Sequence, residues 1–352
     1  MDFPATSQLL SARHEKEVAS LRDLSARIGN DPLLVQASNG NTSIKLEGTL
    51  WIKSSGRWLA RAMHEEMFVP LELASFRESI SNTREFASTP FWESELRPSI
   101  EAPMHAVLRH KVVVHVHSIN TIAWAIRLDA PARLKERLHS LHWQWIPYAP
   151  SGAPLARAIE SAVSKAPETD VLVLGNHGLV VCGPDCDSAE MLLREVERRL
   201  AIPPRPSPKP DTAALASIAR SSTWEFPDAD SLHALGTDAL TLRILKRGVL
   251  YPCQAIFLGH PLPLIPHSLL ASYDAASANS ENANSPFVAI EGSGVLLNRN
   301  LTMAERTTLL ALVQVTQRTE ESAKLRYLER HEVAGVLNMA AHSYKDTSAI
   351  AD

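Results

Sequence analysis

The sequence has few cysteines, no basic excess and no long apolar run. Three cysteines in 352 residues are an odd and sparse set, which argues against a disulfide framework and predicts a reducing, cytoplasmic setting. The formal net charge of -4 gives no global positive field for nucleic acid or an anionic membrane surface. No apolar segment approaches the roughly 20 residues of a spanning helix, and the N-terminus lacks the pattern of a signal peptide. We therefore expect neither nucleic acid nor membrane as a partner.

The chain does contain enough apolar material for two domains. Hydrophobic residues make up 45% of the sequence, and its length suggests roughly two domains of about 150 residues each. The segment IPPRPSPKPD has five prolines in ten positions, and proline favours a stiff, extended chain. We predict a first domain over residues 1–202, a proline-rich linker over 203–210, and a C-terminal domain over 211–352 that could serve assembly.

Before the linker, helical and strand-like segments alternate. Helices are predicted over about residues 6–28, from near Ile100, and over residues 187–201 with Asp187 or Ser188 as N-cap. Short strands are predicted for LLVQASNGNTSIKL, TLWIKSSG, MFVPLEL, VVVHVH, HWQWIPYA and DVLVLGNHGLVVCG. Helices that cover a sheet of such strands predict an α/β sandwich, although the strand order cannot be derived from the pattern.

The second half has fewer signals. GVLYPCQAIFLG and FVAIEGSGVLLN are predicted strands, and residues 272–286 are a predicted loop. A long helix is predicted over residues 302–328, because Thr302 and Glu305 form a capping-box pattern at its start. A shorter helix, ERHEVAGVLN, and a frayed tail over 346–352 follow. We find no catalytic constellation in this half.

Two histidines lie two residues apart at the end of the apolar run VVVHVHSIN. Because strand side chains alternate, His115 and His117 point to one face, and burying both rings requires polar partners. A metal ion is one such partner. His177, where an apolar strand breaks before Gly178, would complete three nitrogen ligands and leave a coordination position open, as in catalytic sites. Histidines satisfied in a core or exposed on a surface are the alternative.

Glu101 lies just before the helix that leads into the histidine strand. Beside a metal, its carboxylate could act as general base on a carbon acid; alternatively, it could cap the helix or pair with the helix dipole. His105, one turn later, could face the same site or pack, and we favour packing.

Two turns rich in Ser, Gly and Asn could bind an anion. SNGNTSIK, residues 38–45, and KSSGRW, residues 53–58, offer backbone N–H groups that can form concave nests. Ordinary hairpin turns are the simpler explanation of either turn by itself.

Taken in order, four motifs resemble the class II aldolase/adducin family: GNTSIK, IKSSG, SIEAPMHAVLR followed by VVVHVHS, and LGNHGLVVCGPDCDSAEML. The resemblance covers about residues 35–200 and is closest to the aldolase part of rhamnulose-phosphate aldolase/dehydrogenase-like proteins. No G-x-G-x-x-G of a dehydrogenase domain follows a strand here. The resemblance implies a class II aldolase-like α/β/α sandwich, with a smaller C-terminal α+β domain after it.

The resemblance also implies roles for individual residues. The three histidines would bind Zn2+ or another divalent metal ion, and Glu101 would move the proton as a metal-stabilised enediolate forms. The family's phosphate-binding loops match five substrate-binding candidates, which are Gly40, Asn41, Ser55, Gly56 and Ser99. Ile100 stands where many sugar-phosphate members have a second serine, which weakens the case for a phosphorylated substrate.

The function implied by the resemblance is that of a metal-dependent lyase. It would catalyse reversible aldol cleavage of a small sugar or sugar-phosphate-like hydroxycarbonyl compound, with the small molecule as its partner and a homo-oligomer, dimer or tetramer, as its assembly. Epimerases, dehydratases and decarboxylases of the family use the same metal–enolate chemistry. A non-catalytic, adducin-like interaction module is the alternative from another class, because such members keep the fold and lose the metal ligands.

Overall fold

The structure, a computed structural model, describes residues 12–81, 96–219, 223–268 and 285–344. The predicted tail over 346–352, nearly all of the predicted loop over 272–286 and the start of the first predicted helix lie outside these ranges. Within them the chain forms two compact units. The first contains residues 12–81, 96–118 and 135–200, and the second contains residues 119–134 and the described residues from 201 onward.

A seven-stranded sheet forms the centre of the first unit. Its strands are β1 (Asn41–Leu46), β2 (Thr49–Lys53), β3 (Phe68–Glu72), β4 (Val112–Val116), β5 (Trp143–Ile146), β6 (Val171–Leu174) and β7 (Gly178–Gly183). Their order is β3-β2-β1-β4-β7-β6-β5, and every neighbouring pair is antiparallel except β5 and β6. The valine-rich runs of β4, β6 and β7 are buried along their whole length, as expected for strands covered on both faces.

Helices cover both faces of this sheet. The helices of the first 200 residues are α1 (Ala12–Gly29), α2 (Leu73–Ser81), α3 (Ala102–Val107), α4 (Ile119–Ala125), α5 (Ala130–Arg137), α6 (Ala153–Val163) and α7 (Cys186–Leu200). Of these, α4 and residues 130–134 of α5 belong to the second unit. On one face, Met104 of α3 and Ile159 of α6 pack against Val113 and Val180 of the strands. On the other, Ser25 of α1 is hydrogen-bonded to Thr42 of β1 at 2.7 Å, and α7 packs against β7. The predicted α/β/α sandwich is confirmed.

The predicted first residues of one strand and one helix in this unit are wrong. Residues 33–40 form turns, and β1 begins only at Asn41, because the run SNGN supplies turn residues rather than a strand. Helix α7 begins at Cys186, earlier than the predicted caps Asp187 and Ser188. Its N-cap is Asp185, whose Oδ1 accepts from the Ser188 backbone N–H at 2.7 Å, as N-cap aspartates do.

The second unit combines a small sheet with short helices. Its strands are β8 (Trp224–Glu225), β9 (Leu264–Ile265), β10 (Phe287–Ile290) and β11 (Gly294–Asn298), in the order β8-β11-β10-β9. Its later helices are α8 (Thr212–Ala219), α9 (Ala234–Thr237), α10 (Ala239–Leu245), α11 (Met303–Gln317) and α12 (Arg330–Tyr344). Residues 201–210 have neither helix nor strand. The domain bounds predicted at residues 202 and 211 stay a prediction. Residues 119–134 pack with the second unit, which the sequence did not indicate.

The predicted strand GVLYPCQAIFLG is wrong. Residues Gln254–Leu258 form a π-helical turn, and Tyr251 and Leu258 pack into the core of the second unit. Pro252 has no N–H to donate to a sheet ladder, which disfavours a strand here. The FVAIEGSGVLLN prediction is confirmed as the β10–β11 hairpin.

Helix α11 begins as predicted but ends early. The capping box of Thr302 and Glu305 is present, and the helix ends at Gln317, eleven residues before the predicted end. Its apolar side chains, including Leu312 and Val313, pack into the core of the same unit. Helix α12 is longer than the predicted ERHEVAGVLN segment.

Candidate metal centre

Strand pairing brings the three histidines together. His115 lies on β4 and His117 one residue beyond its end, on the face that α3 and α6 cover. Because β4 pairs antiparallel with β7 so that His115 lies opposite Val180, the turn before β7 places His177 beside them. Gly178 permits this approach, since a Cβ there would lie 2.5 Å from the Val116 carbonyl oxygen.

The side chains of Glu101, His115, His117 and His177 converge on one point. Their ligand atoms all lie within 4.8 Å of one another, and all four residues are buried. His115 Nε2 lies 3.2 Å from His117 Nε2 and 3.3 Å from Glu101 Oε2, and His177 Nε2 lies 3.1 Å from Glu101 Oε1. Tetrahedral zinc ligands at their usual bond lengths are separated by about 3.3 Å. The four residues therefore fit a divalent metal ion.

The protonation of the histidines is also right for metal binding. His115 Nδ1 donates to the Leu179 carbonyl oxygen at 3.0 Å, so the lone pair of Nε2 faces the centre of the cluster. Burial lowers the pKa of His115 to about 4, against the raising effect of Glu101. Burial likewise lowers the pKa of His117 well below its usual value. Both rings are therefore neutral near pH 7, as metal ligands must be.

Glu101 is held as an anion in the same cluster. Burial raises the pKa of its carboxyl, but the neighbouring His115 and His177 outweigh this effect, so that the pKa lies well below its usual value. Oε2 accepts from Asn41 Nδ2 at 2.8 Å, and Oε1 accepts from Ser151 Oγ at 3.1 Å. Although Glu101 occupies the N-cap position of α3, its side chain makes no capping hydrogen bond. The alternative of a capping role is therefore wrong.

The structure places three of the five substrate-binding candidates beside Glu101. Asn41 Nδ2 donates to Ser99 Oγ at 3.2 Å as well as to Glu101, and the Glu101 backbone N–H donates to the same Ser99 oxygen. Gly40 directly precedes Asn41 with a φ of +67°. A Cβ at this position would lie 2.9 Å from the His115 carbonyl oxygen, so only glycine suits the position.

Ser55 and Gly56, the other two candidates, form the turn after β2. The Ser55 backbone N–H donates to the Arg97 carbonyl oxygen at 2.8 Å, and Gly56 has a φ of +75°. The Ser99 backbone N–H donates to the Lys53 carbonyl oxygen at 3.0 Å. These bonds hold the Ser55–Gly56 turn against the segment that carries Ser99.

Lys53 places a buried amine next to both turns. Its Nζ donates to the Ser38 carbonyl oxygen at 2.9 Å and to the Ser54 carbonyl oxygen at 3.3 Å. Burial lowers its pKa to about 7, against the raising effect of Glu101. Asn39 Nδ2 and Ser54 Oγ are buried in these turns and have no hydrogen-bond partner among the described residues.

Sequence reasoning missed Ser151 and the hydrogen bonds of His105. Ser151 precedes Gly152, the N-cap of α6, in a loop that gives no signal of a contact with Glu101. His105 is fully buried, in line with packing, but it is also hydrogen-bonded to Asn41 and Ser43. His105 follows Glu101 by four residues, a spacing that places both side chains on the same face of a helix, and this spacing could have indicated that His105 lies near Glu101.

A family model described as "Class II Aldolase and Adducin N-terminal domain" matches residues 22–202. The chain belongs to the class II aldolase and adducin family. Class II aldolases use a divalent metal ion, and the buried cluster of Glu101 and three histidines can hold one. Among the residues that the structure describes, no helix is long and apolar enough to cross a membrane.

A curated protein is similar to about half of this chain. The "Uncharacterized oxidoreductase YuxG" of Bacillus subtilis (strain 168) is 30% identical over 192 residues, which are 49% of this chain and 27% of that protein. This chain thus spans about a quarter of that relative's length.

The solved structures that are similar to this chain include the N-terminal class II aldolase domain of a conserved protein from Thermoplasma acidophilum. It has 23% identity and a TM-score of 0.48, covering 55% of this chain and 96% of that chain. L-fuculose-1-phosphate aldolase from Thermus thermophilus has 18% identity and a TM-score of 0.38. The match covers 53% of this chain and 91% of that chain.

Proposed function

We propose that this protein is a metal-dependent lyase that cleaves and forms an aldol bond in a small hydroxycarbonyl compound. The observation that carries the proposal is the buried cluster in which one carboxylate and three histidines converge. Three neutral nitrogen ligands and an open position are the arrangement of catalytic metal sites. We propose His115, His117 and His177 as the metal ligands and Glu101 as the catalytic base.

A divalent ion held by the three histidines, zinc in our proposal, would polarise the substrate carbonyl and stabilise the negative charge that develops on its oxygen. Glu101 would take the proton from the carbon next to the carbonyl in the condensation direction and return it to that carbon in the cleavage direction. Because the pKa of Glu101 lies well below its usual value, the carboxylate is ionised at neutral pH, as a general base must be. Burial of the cluster keeps bulk water from competing for that proton.

The two turns around Glu101 would hold the oxygen-rich end of the substrate. Asn39 Nδ2 and Ser54 Oγ are buried without partners among the described residues, so a ligand oxygen would satisfy groups that otherwise cost folding free energy. Lys53 adds a hydrogen-bond donor at the same place. We therefore propose Gly40, Asn41, Ser55, Gly56 and Ser99 as the surrounding substrate contacts, and a sugar or sugar phosphate as the substrate class.

The alternative reactions begin with the same step. Epimerases, dehydratases and decarboxylases that use metal–enolate chemistry need the same ligands, so the cluster supports them as well as it supports a lyase. A non-catalytic, adducin-like module is less well supported, because it would have no use for a complete set of Glu101 and three histidines.

The testing experiment combines metal analysis with proton exchange. Full-length, dialysed protein should contain about one equivalent of a divalent metal per chain, and the variant with His115→Ala and His117→Ala should lose it. Incubation with dihydroxyacetone or its phosphate in deuterated water should exchange a carbon-bound hydrogen, detected by proton NMR. Glu101→Gln should lower the exchange rate by about 100- to 10,000-fold, the contribution of a general base.

Three results would contradict the proposal. Absence of metal in the wild-type protein, even after incubation with zinc, would remove the electrophile and favour the binding-module alternative. Exchange at the wild-type rate in Glu101→Gln would assign the proton to another residue. If exchange is normal but no aldehyde product forms from any hydroxycarbonyl compound, an epimerase, dehydratase or decarboxylase would be the better assignment.

We also propose a cytoplasmic homo-oligomer, a dimer or tetramer, with the C-terminal part over residues 211–352 contributing to assembly. All three cysteines are free, which suits a reducing compartment. Light scattering on the purified protein would give the subunit number, and a monomer at micromolar concentration would contradict the assembly.

A further inference from the structure

A chain of buried hydrogen bonds leads from β1 and α3 to Glu101. Ser43 Oγ lies 2.7 Å from His105 Nδ1, and His105 Nε2 lies 2.5 Å from Asn41 Oδ1. Asn41 Nδ2 then donates to Glu101 Oε2 at 2.8 Å. None of these four residues is more than 6% exposed, so the loss of any of the three bonds would leave a buried polar group without its partner.

The chemistry of the groups allows only one direction for this chain. An ionised carboxylate only accepts hydrogen bonds, so Asn41 must present its Nδ2 to Glu101 and its Oδ1 to His105. His105 must therefore carry its proton on Nε2, and its Nδ1 must accept from the Ser43 hydroxyl. Burial lowers the pKa of His105 well below its usual value, in line with a neutral ring. Each residue in the chain thus fixes the orientation of the next.

We propose that His105 is a positioning residue for Glu101 and acts through Asn41. The inference rests on the proposed role of Glu101 in proton transfer. With Oε2 fixed by the Asn41 amide, Oε1 is the oxygen left to exchange the proton. Its neighbours are the Ser151 hydroxyl at 3.1 Å, which can rotate its hydrogen away, and His177 at 3.1 Å.

Without His105, the buried Asn41 Oδ1 would lose its donor, and only the bonds from Nδ2 to Glu101 and Ser99 would oppose rotation of the amide. A rotated amide would turn its oxygen toward the carboxylate of Glu101, and two acceptors would face each other. The carboxylate would then shift away from the reacting carbon. Because proton transfer depends on distances near hydrogen-bond contact, the rate should fall while the binding of substrate and metal stays the same.

The experiment compares His105→Leu with His105→Gln in the zinc-loaded full chain. Leucine removes both hydrogen bonds, whereas glutamine can donate to Asn41 and accept from Ser43, in the same order as the histidine. His233→Leu is a matched control, because His233 is also buried and its Nδ1 accepts a hydrogen bond from the Val295 backbone N–H at 3.2 Å in the second unit. Ser43→Ala is a milder variant that keeps the ring, for use if His105→Leu does not fold.

Two readouts are expected to agree. Exchange of dihydroxyacetone hydrogens with deuterated water should be slower by about 10- to 100-fold in His105→Leu, the usual effect of losing an outer supporting hydrogen bond. The KM and the zinc content should not change, and His105→Gln should restore most of the rate. In crystal structures, the Glu101 carboxylate should be displaced in His105→Leu but not in His105→Gln, and His233→Leu should affect neither readout.

The crystal structures of the variants test the positioning role of His105 separately from the proposed function. If the wild-type protein exchanges no hydrogen of dihydroxyacetone or its phosphate, proton transfer fails for these compounds, and displacement of Glu101 in His105→Leu would still support the positioning role. If Glu101 stays in place in His105→Leu, or in Ser43→Ala where that variant is used, the positioning role is wrong. A folded His105→Gln that fails to restore the orientation of Glu101 would also overturn it.

Discussion

Acidification should destabilise the metal-free protein, because burial keeps His115 and His117 of the metal centre neutral in the folded state. The pKa of His115 is about 4 in the folded protein, compared with an ordinary value of 6.5. Between these values the unfolded chain binds a proton that the folded chain does not. The free energy of unfolding therefore falls as the pH is lowered through this window.

The size of the effect follows from the two pKa values. At about pH 5, His115 alone should lower the free energy of unfolding by about 2 kcal/mol relative to pH 7.5. The pKa values of His117 and His105 are also well below their usual range, so their contributions have the same sign. The His115 contribution alone is a sizeable part of the stability of a typical domain, which is about 5–15 kcal/mol.

Glu101 and Lys53 titrate outside this range. The pKa of Glu101 is lowered from an ordinary value of 4.5, so its contribution is lost only at more acidic pH. The pKa of Lys53 is lowered from 10.5 to about 7, so its effect belongs to alkaline pH. Burial also lowers the pKa of His110 and of His233, so the contribution of His115 has to be isolated by comparison with a variant that lacks this ring.

The assay is urea unfolding of chelator-treated protein at pH 7.5 and pH 5, followed by tryptophan fluorescence. The change between the two pH values should be about 2 kcal/mol smaller in His115→Gln than in the wild type, because the variant lacks one titrating group. An identical pH dependence in the two proteins would mean that His115 is protonated normally in the folded state. The conclusion that His115 is neutral in the folded, metal-free protein would then be wrong.

Two further predictions concern Gly236 in the second unit and Lys53 beside the candidate substrate-binding turns. Gly236→Ala should destabilise the second unit by about 1–3 kcal/mol or more, since a Cβ would lie 2.0 Å from the Gly294 carbonyl oxygen. Gly335→Ala, where nothing lies within 4 Å, should be neutral or stabilising in the same urea titration, and equal losses would refute the packing argument. For Lys53, the unfolded chain holds a proton between pH 7 and 10.5 that the folded chain releases, so stability rises with pH through this window. In Lys53→Met the rise from pH 7 to 9 should be about 2 kcal/mol smaller than in the wild type, and an unchanged rise would show that Lys53 is not titrating in this window.

Much of the candidate site could be predicted because its signals are local. The alternation of side chains along a strand requires that His115 and His117 share a face. The Thr302–Glu305 capping box was predictable for the same reason, since both partners lie within one helical turn. The GVLYPCQAIFLG segment was misassigned because a short apolar run is compatible with either a strand or a buried helical turn.

The sequence by itself determined the residue types of the metal centre, the motifs that identify the family, and the proline-rich segment after α7. The tertiary structure alone decided the strand order, the pairing of β4 with β7 that brings His177 to Glu101, and the packing of residues 119–134 with the second unit. It also decided the partners of Glu101, because Ser151 lies 50 residues and Asn41 60 residues away along the chain. Hydrogen bonds over such distances depend on how strands pair and helices pack, and no local propensity encodes them.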